Sequence, residues 1–278
     1  RTLEIIPGVI QWLSILAPIV LPLIGLTEVF LFYVSFIAIY WSIRSLKFAY
    51  GTVEGYRRMR RDLATDWIEL IKKDFPEEFK EIRYVYLCPV FSETVDKTLD
   101  ASFKSWSRSD VGAEKIDVVF AIEEKKKELQ LKNFELLKKK YGKKFGSMQY
   151  YIHPQNIPGE VQGVKGGNLN WATRHFVEDL EKNGGNIHKY LLITCDSDQR
   201  PHPKYLSAIT YKYFSSEDRD RCFYTSAIYT FNNNIWKVPP LIRSYFMMNQ
   251  LTNMQNWVAQ KTYWSPTTKR DFHCMESR

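Results

Sequence analysis

Over residues 9–43 the chain carries a single charged side chain, Glu28. This run of 35 residues is too long for the core of a signal peptide and too long for one membrane span of about 20 residues. Pro22, Gly25 and Glu28 divide it and predict helices near 5–24 and 28–45, each long enough to cross about 30 Å of hydrocarbon. Trp12, Tyr40 and Trp41 fall near the ends, where aromatic belts form. A core helix of a soluble protein seldom lacks a polar face for so long. Two transmembrane helices are therefore expected within 1–46, against the alternative of a buried apolar hairpin. Arg44, Lys47, Arg57, Arg58, Arg60 and Arg61 follow, with only Glu54 opposing them. The positive-inside rule assigns this side, and all that follows, to the cytoplasm. The expectation is an integral protein of a bacterial inner or plasma membrane with a cytoplasmic soluble domain.

The apolar share of 45% and aromatic share of 15% exclude a disordered chain, and 278 residues suffice for a sizeable core. Cys88, Cys195, Cys222 and Cys274 are far apart and form no C-x-x-C pair, so neither a disulfide framework nor a zinc site is expected. Cys88 and Cys195 end apolar runs, where a free thiol behaves as a small hydrophobe.

After a charged linker over 47–81, with a helix near 62–74, apolar runs alternate with helical segments. Strands are predicted at 83–90, 116–122, 148–152, 190–195 and 222–231. Helices are predicted at 94–106, 123–141, 167–180 and 204–214. The apolar stripe of the helix at 123–141 is Leu129, Phe134, Leu137 and Tyr141. Strands separated by helices imply an α/β domain with a mostly parallel sheet covered on both faces. Ligands of such sheets bind outside the carboxyl ends of the strands.

Those ends are acidic. The first strand runs into Pro89-Val-Phe-Ser-Glu93, the second into Glu123-Glu124 and the fourth into Asp196-Ser-Asp198. Like charges gathered in one crevice call for a cation or for hydrogen-bond donors. Between the third and fourth strands, Lys165, Gly166, Gly167 and Asn168 open a helix, a cation with free N–H groups suited to phosphate. Each signal alone has a plain reading. Asp-x-Asp commonly makes a turn or cap, Lys-Gly-Gly a loop, and glutamates favour a helix's positive end.

The combination of CPVFSE (88–93), VVFAIEE (118–124), KGGNLNWA (165–172) and LLITCDSD (191–198) resembles the family 2 glycosyltransferases of GT-A fold, in particular the membrane-anchored kind related to polysaccharide and cellulose synthases. YTFNNNIWKVPPLIR (229–243) is a softer match. The resemblance implies a Rossmann-like nucleotide-sugar domain over 82–243, followed by an acceptor-side or interfacial segment at 244–278. It implies an inverting transfer from a UDP- or GDP-sugar to a glycan or lipid acceptor. Pro89, Glu93, Glu123, Glu124, Lys165, Gly166, Gly167, Asn168, Asp196 and Asp198 would bind the donor. Asp196 and Asp198 would hold Mg²⁺ or Mn²⁺, whose hard character suits carboxylates. The family usually has Asp where this chain has Glu123 and Glu124. Its later T/E-E-D motif, which carries the catalytic base, and its Q-x-x-R-W motif do not occur in these residues. The expectation is a fragment that binds donor and transfers sugar poorly.

Two other readings compete. LLITCDSDQ superficially fits a haloacid-dehalogenase-like phosphatase, although Arg200 stands where that family expects Thr or Val. The basic helix at 125–144 could instead belong to a membrane-anchored nucleotide or polyanion binder. The net charge of +8 helps to choose. Residues 44–61 contribute +5 and residues 125–144 contribute +7, whereas 82–124 carries −3. The basic excess thus lies outside the acidic crevice and lacks the aromatic interleaving of a nucleic-acid platform. A bilayer partner is expected, and no nucleic acid.

Overall fold

The computed structural model describes residues 2–158, 165–217, 219, 224 and 235–259. The chain divides into two compact units: 1–58 with 231–263, and 59–230 with 264–278.

The first unit is helical among the described residues. Helix α1 (Thr2–Leu23) and helix α2 (Thr27–Ala64) are joined by a turn at Gly25, whose φ of +80° favours glycine. Both helices are long enough, and each holds a stretch apolar enough, to cross a membrane. Their apolar stretches are unburied, unlike the core helix of a soluble protein. α2 runs on to Ala64 rather than stopping near residue 45. Its 38 residues make it about 57 Å long. No proline stands between Ile43 and Ala64, the helix runs through Gly51 and Gly55, and it ends at Thr65-Asp66. The charged helix expected near 62–74 is therefore two elements, the end of α2 and α3 (Trp67–Asp74), which Asp66 caps by accepting from the N–H of Glu69 at 3.1 Å. In the same unit, helix α9 (Pro240–Ala259) crosses α2 at Gly51 and Gly55.

The second unit is α/β. Its sheet, among the described residues, has four parallel strands: β1 (Arg83–Val90), β2 (Ile116–Glu123), β3 (Ser147–His153) and β4 (Tyr190–Thr194). The strand expected at 222–231 lies outside the described residues. The order β3-β2-β1-β4 reverses direction between β1 and β4, which makes that gap the topological switch point.

Side-chain alternation sorts β1 and β2 into two cores. Tyr84, Tyr86, Cys88 and Val90 of β1, with Val118, Phe120 and Ile122 of β2, face the larger one. There they meet α5 (Asp100–Trp106), α6 (Lys127–Tyr141) and α8 (Tyr205–Phe214) through Phe103, Trp106, Phe134, Leu137 and Leu206. Val85, Leu87, Val119 and Ala121 face the other way, onto Ala172 and Phe176 of α7 (Lys165–Lys182). α4 (Pro76–Glu81) precedes the sheet. The buried stripe of α6 differs from the expected one. Leu129 is exposed, and the polar Gln130 and Asn133 are buried beside Phe134, Leu137 and Tyr141. The helix rotates so that those two amides face the loop after β1.

Candidate functional site

The carboxyl edge of the sheet collects the residues singled out by the sequence. Leu87 of β1 pairs with Thr194 of β4, and the N–H of Cys195 donates to the carbonyl of Leu87 at 3.0 Å. Asp196 therefore leaves β4 beside the end of β1. There the Lys165 ammonium, on the first residue of α7, forms an ion pair with the Asp196 carboxylate. Ser197 is buried, and Asp198 is exposed on the same turn. The turn is closed locally: the Gln199 N–H donates to the Asp196 carbonyl at 3.0 Å, and the Asp196 N–H to Gln199 Oε1 at 3.2 Å.

The two buried thiols register the field of these groups. Burial pushes Cys88 well up, and Cys195, Glu93, Asp196 and Asp198 push it further. Burial likewise raises Cys195, helped by Asp196 and Asp198 and opposed by Lys165. Three carboxylates and one ammonium thus act on the ends of β1 and β4. At neutral pH both cysteines are protonated, inert packing groups, as their positions in the sequence predict.

The loop after β1 is held from two sides. Glu93 turns back on its own chain and accepts from the Phe91 N–H at 2.6 Å. Its carbonyl accepts from Gln130 Nε2 at 3.1 Å and from Asn133 Nδ2 at 2.9 Å, and Gln130 also donates to the Phe91 carbonyl. The loop after β4 is held by α5: Trp106 Nε1 donates to the Gln199 carbonyl at 3.1 Å and the Ser105 hydroxyl to the Pro201 carbonyl at 2.9 Å. Gln130, Asn133, Ser105 and Trp106 were not singled out by the sequence. The amides carry a faint signal, two polar residues three apart on the apolar side of a helix.

Asn168 comes to the rim by another route. Buried in the first turn of α7, it donates through Nδ2 to the Ala121 carbonyl of β2 at 2.9 Å. Its buried Oδ1 has no hydrogen-bond partner among the described residues. Space beside Gly166 is open: a Cβ there would meet nothing within 4 Å. Gly166 and Gly167 lie inside the first turn of α7, which starts at Lys165.

The glutamates of β2 divide. Glu123 ends the strand opposite His153 of β3. Glu124 is engaged elsewhere, accepting from the Gln155 N–H at 2.8 Å. It anchors the segment after β3 rather than joining Asp196 and Asp198. Pro89 lies within β1 and keeps its register with Ala121.

No three His, Cys, Asp or Glu side chains converge on one cation position among the described residues. The two hard carboxylates Asp196 and Asp198 are a donor set that suits Mg²⁺ when substrate phosphates complete the shell, because that ion commonly takes only one or two protein carboxylates. A separate cavity of about 490 Å³ lies at the opposite, amino-terminal edge. Arg83, Asp117, Gln149, Asn183 and Tyr190 line it. Arg83 and Asp117 satisfy each other there through two hydrogen bonds of 3.1 and 2.8 Å, and that bonding raises the guanidinium's pKa. Comparison of the chain with protein-family models, curated proteins and solved structures finds no match.

Proposed function

We propose that the protein is a membrane-anchored glycosyltransferase of GT-A type. It binds a nucleotide-diphosphate sugar at the carboxyl edge of its sheet for inverting transfer to a glycan or lipid acceptor, and these residues, which carry no T/E-E-D motif for the catalytic base, transfer the sugar poorly on their own. The observation that carries this reading is the gathering of Glu93, Asp196, Asp198 and Lys165 at the β1/β4 switch point, where open parallel sheets take their ligands.

Each group has a task. Asp196 and Asp198 would hold Mg²⁺ or Mn²⁺, which when bound neutralises charge on the departing diphosphate. Lys165 binds phosphate oxygens in exchange for Asp196, and the open space beside Gly166 admits them to the first turn of α7. The unpartnered Oδ1 of Asn168 accepts a donor hydroxyl or N–H. Glu93 and Glu123 hold the ribose and base. Glu124 supports the loop through Gln155.

Calorimetry on the full chain in nanodiscs tests this with UDP-glucose, UDP-N-acetylglucosamine, GDP-mannose and an RNA oligomer, each with and without Mn²⁺. One sugar nucleotide should bind in a metal-dependent manner. Asp198→Asn should weaken it about 10- to 100-fold, the range for a lost charge-assisted contact. Binding of RNA and of no sugar nucleotide would contradict the reading.

A further inference from the structure

We propose that the cavity at the amino-terminal edge of the sheet is a second binding site, which takes a neutral saccharide unit. Its lining residues all belong to the second unit and lie away from Asp196 and Asp198, so the inference does not depend on what the carboxyl edge binds.

The walls of the cavity are fixed by contacts of their own. Arg83 of β1 and Asp117 of β2 are locked in a two-point pair. A Cβ on Gly146 would run into both Arg83 Nη2 and Asp117 Oδ1, so only glycine lets the chain entering β3 pass so close to that pair. The Tyr190 ring of β4 meets the Phe176 ring of α7 edge-on, with centroids 6.0 Å apart, and the Arg83 guanidinium lies 6.0 Å from the centre of the Tyr190 ring. Asn183 follows the last residue of α7, and its Nδ2 donates to the Asp179 carbonyl at 2.7 Å. The volume of about 490 Å³ falls within the range of about 300–1,000 Å³ that small-molecule sites occupy.

The charges of the lining select a neutral ligand. Arg83 spends Nε and Nη2 on the buried Asp117. Asp179 adds a second carboxylate, and the carboxyl end of α7 adds the partial negative charge of a helix terminus. A phosphate or carboxylate ligand would meet that field, and a cationic ligand would meet Arg83. Capacity for hydrogen bonds nevertheless remains of both kinds. Asp117 leaves Arg83 Nη1 unused, and Asn183 Oδ1 accepts from no group among the described residues. A purely apolar ligand would strip water from these groups and return no hydrogen bond. A sugar ring answers both needs. Its hydroxyls donate and accept towards the planar guanidinium and amide ends, and its C–H face is apolar enough to lie on the Tyr190 ring.

Saturation-transfer difference NMR on the full chain in nanodiscs tests the proposal, with methyl glucoside, methyl mannoside, N-acetylglucosamine, choline and inorganic phosphate as probes. At least one of the three saccharides should bind, in the millimolar range natural to a ligand of about a dozen heavy atoms. Neither choline nor phosphate should displace it. Asn183→Trp, which fills the cavity from its rim, and Tyr190→Leu, which removes the aromatic face, should each weaken that binding at least about fivefold. Asp198→Asn, at the opposite edge, should not weaken it. Saccharide binding that survives both cavity variants, or that Asp198→Asn abolishes, would overturn the proposal by placing the sugar elsewhere. Binding of choline or phosphate in place of a saccharide, or of no probe at all, would overturn it too. Failure of every sugar nucleotide in the calorimetry, with saccharide binding intact, would contradict the donor reading and leave this site standing. The two cavity variants report independently, so one that fails to fold does not remove the test.

Discussion

Trp106 shows how a single side chain can serve the core and the site together. Its ring is fully buried, stacked on Tyr86 with centroids 5.0 Å apart, while its indole N–H holds the Gln199 carbonyl on the turn that carries Asp196 and Asp198. Trp106→Phe keeps most of the packing and deletes the hydrogen bond. The expected stability loss is about 1 kcal/mol by urea unfolding, together with a severalfold weakening of metal-dependent donor binding. Equal donor affinity in the variant would show that the tether does not position the turn. Trp106→Ala, which empties the same volume, should cost about 3–5 kcal/mol. Residue types at the rim were legible in the sequence, because carboxylates after apolar strands need only the rule that parallel sheets bind ligands at their carboxyl ends. The tethers were not. A Trp in a helix or an Asn three residues after a Gln carries no mark of the carbonyl it will meet after folding.

At the level of elements, α5 and α6 are joined by Asp100, which accepts from the Lys140 ammonium at 2.6 Å and from the Tyr141 hydroxyl at 3.0 Å. The bond from Lys140 is the main cause that holds the Asp100 carboxyl below its usual range. A carboxyl whose native pKa is depressed stabilises the fold at neutral pH and loses that contribution as pH falls through the carboxylate range. Asp100→Asn should therefore be less stable than the parent at pH 7, and the gap in urea midpoint should close towards pH 3. A gap independent of pH would contradict the pairing. α2 and α9 make a second test. Gly55→Leu places a side chain where the Met254 carbonyl now lies, so α9 should detach and become cleavable under limited proteolysis while the α/β unit keeps its unfolding midpoint. Bounds were legible where the apolar run was continuous: β1 occupies residues 83–90 as the pattern predicts. They were least legible where helix followed helix. The continuation of α2 to Ala64 and the break before α3 depend on where a cap can form, which apolar periodicity does not report. Gly51 and Gly55 were overlooked because that stretch reads first as a cluster of basic charge.

On the scale of the whole molecule, the basic and acidic regions separate. The nine lysines of 125–144 lie on α6 and its flanks, and several rest over aromatic rings, as Lys138 does over Phe134 at 5.7 Å and Lys144 over Tyr141 at 5.4 Å. At the carboxyl edge Asp196 pairs with Lys165, while Glu93 and Glu124 accept from the Phe91 and Gln155 N–H groups. A chain that is basic overall thus still sets a group of carboxylates at one rim of the sheet. The α/β class and the parallel sheet followed from the alternation of apolar runs, and the order β3-β2-β1-β4 adds what alternation could not, namely that β1 and β4 are neighbours. That neighbourhood brings Glu93 and Asp196 to one place, and the functional account depends on it. The direct test is a Mn²⁺ titration of the full chain followed by electron paramagnetic resonance, with and without the sugar nucleotide that calorimetry selects. The account predicts weak Mn²⁺ binding alone, at least tenfold tighter binding with the nucleotide present, and loss of that enhancement in both Asp196→Asn and Asp198→Asn. Enhancement that survives both substitutions, or affinity for Mn²⁺ that the nucleotide leaves unchanged, would contradict it.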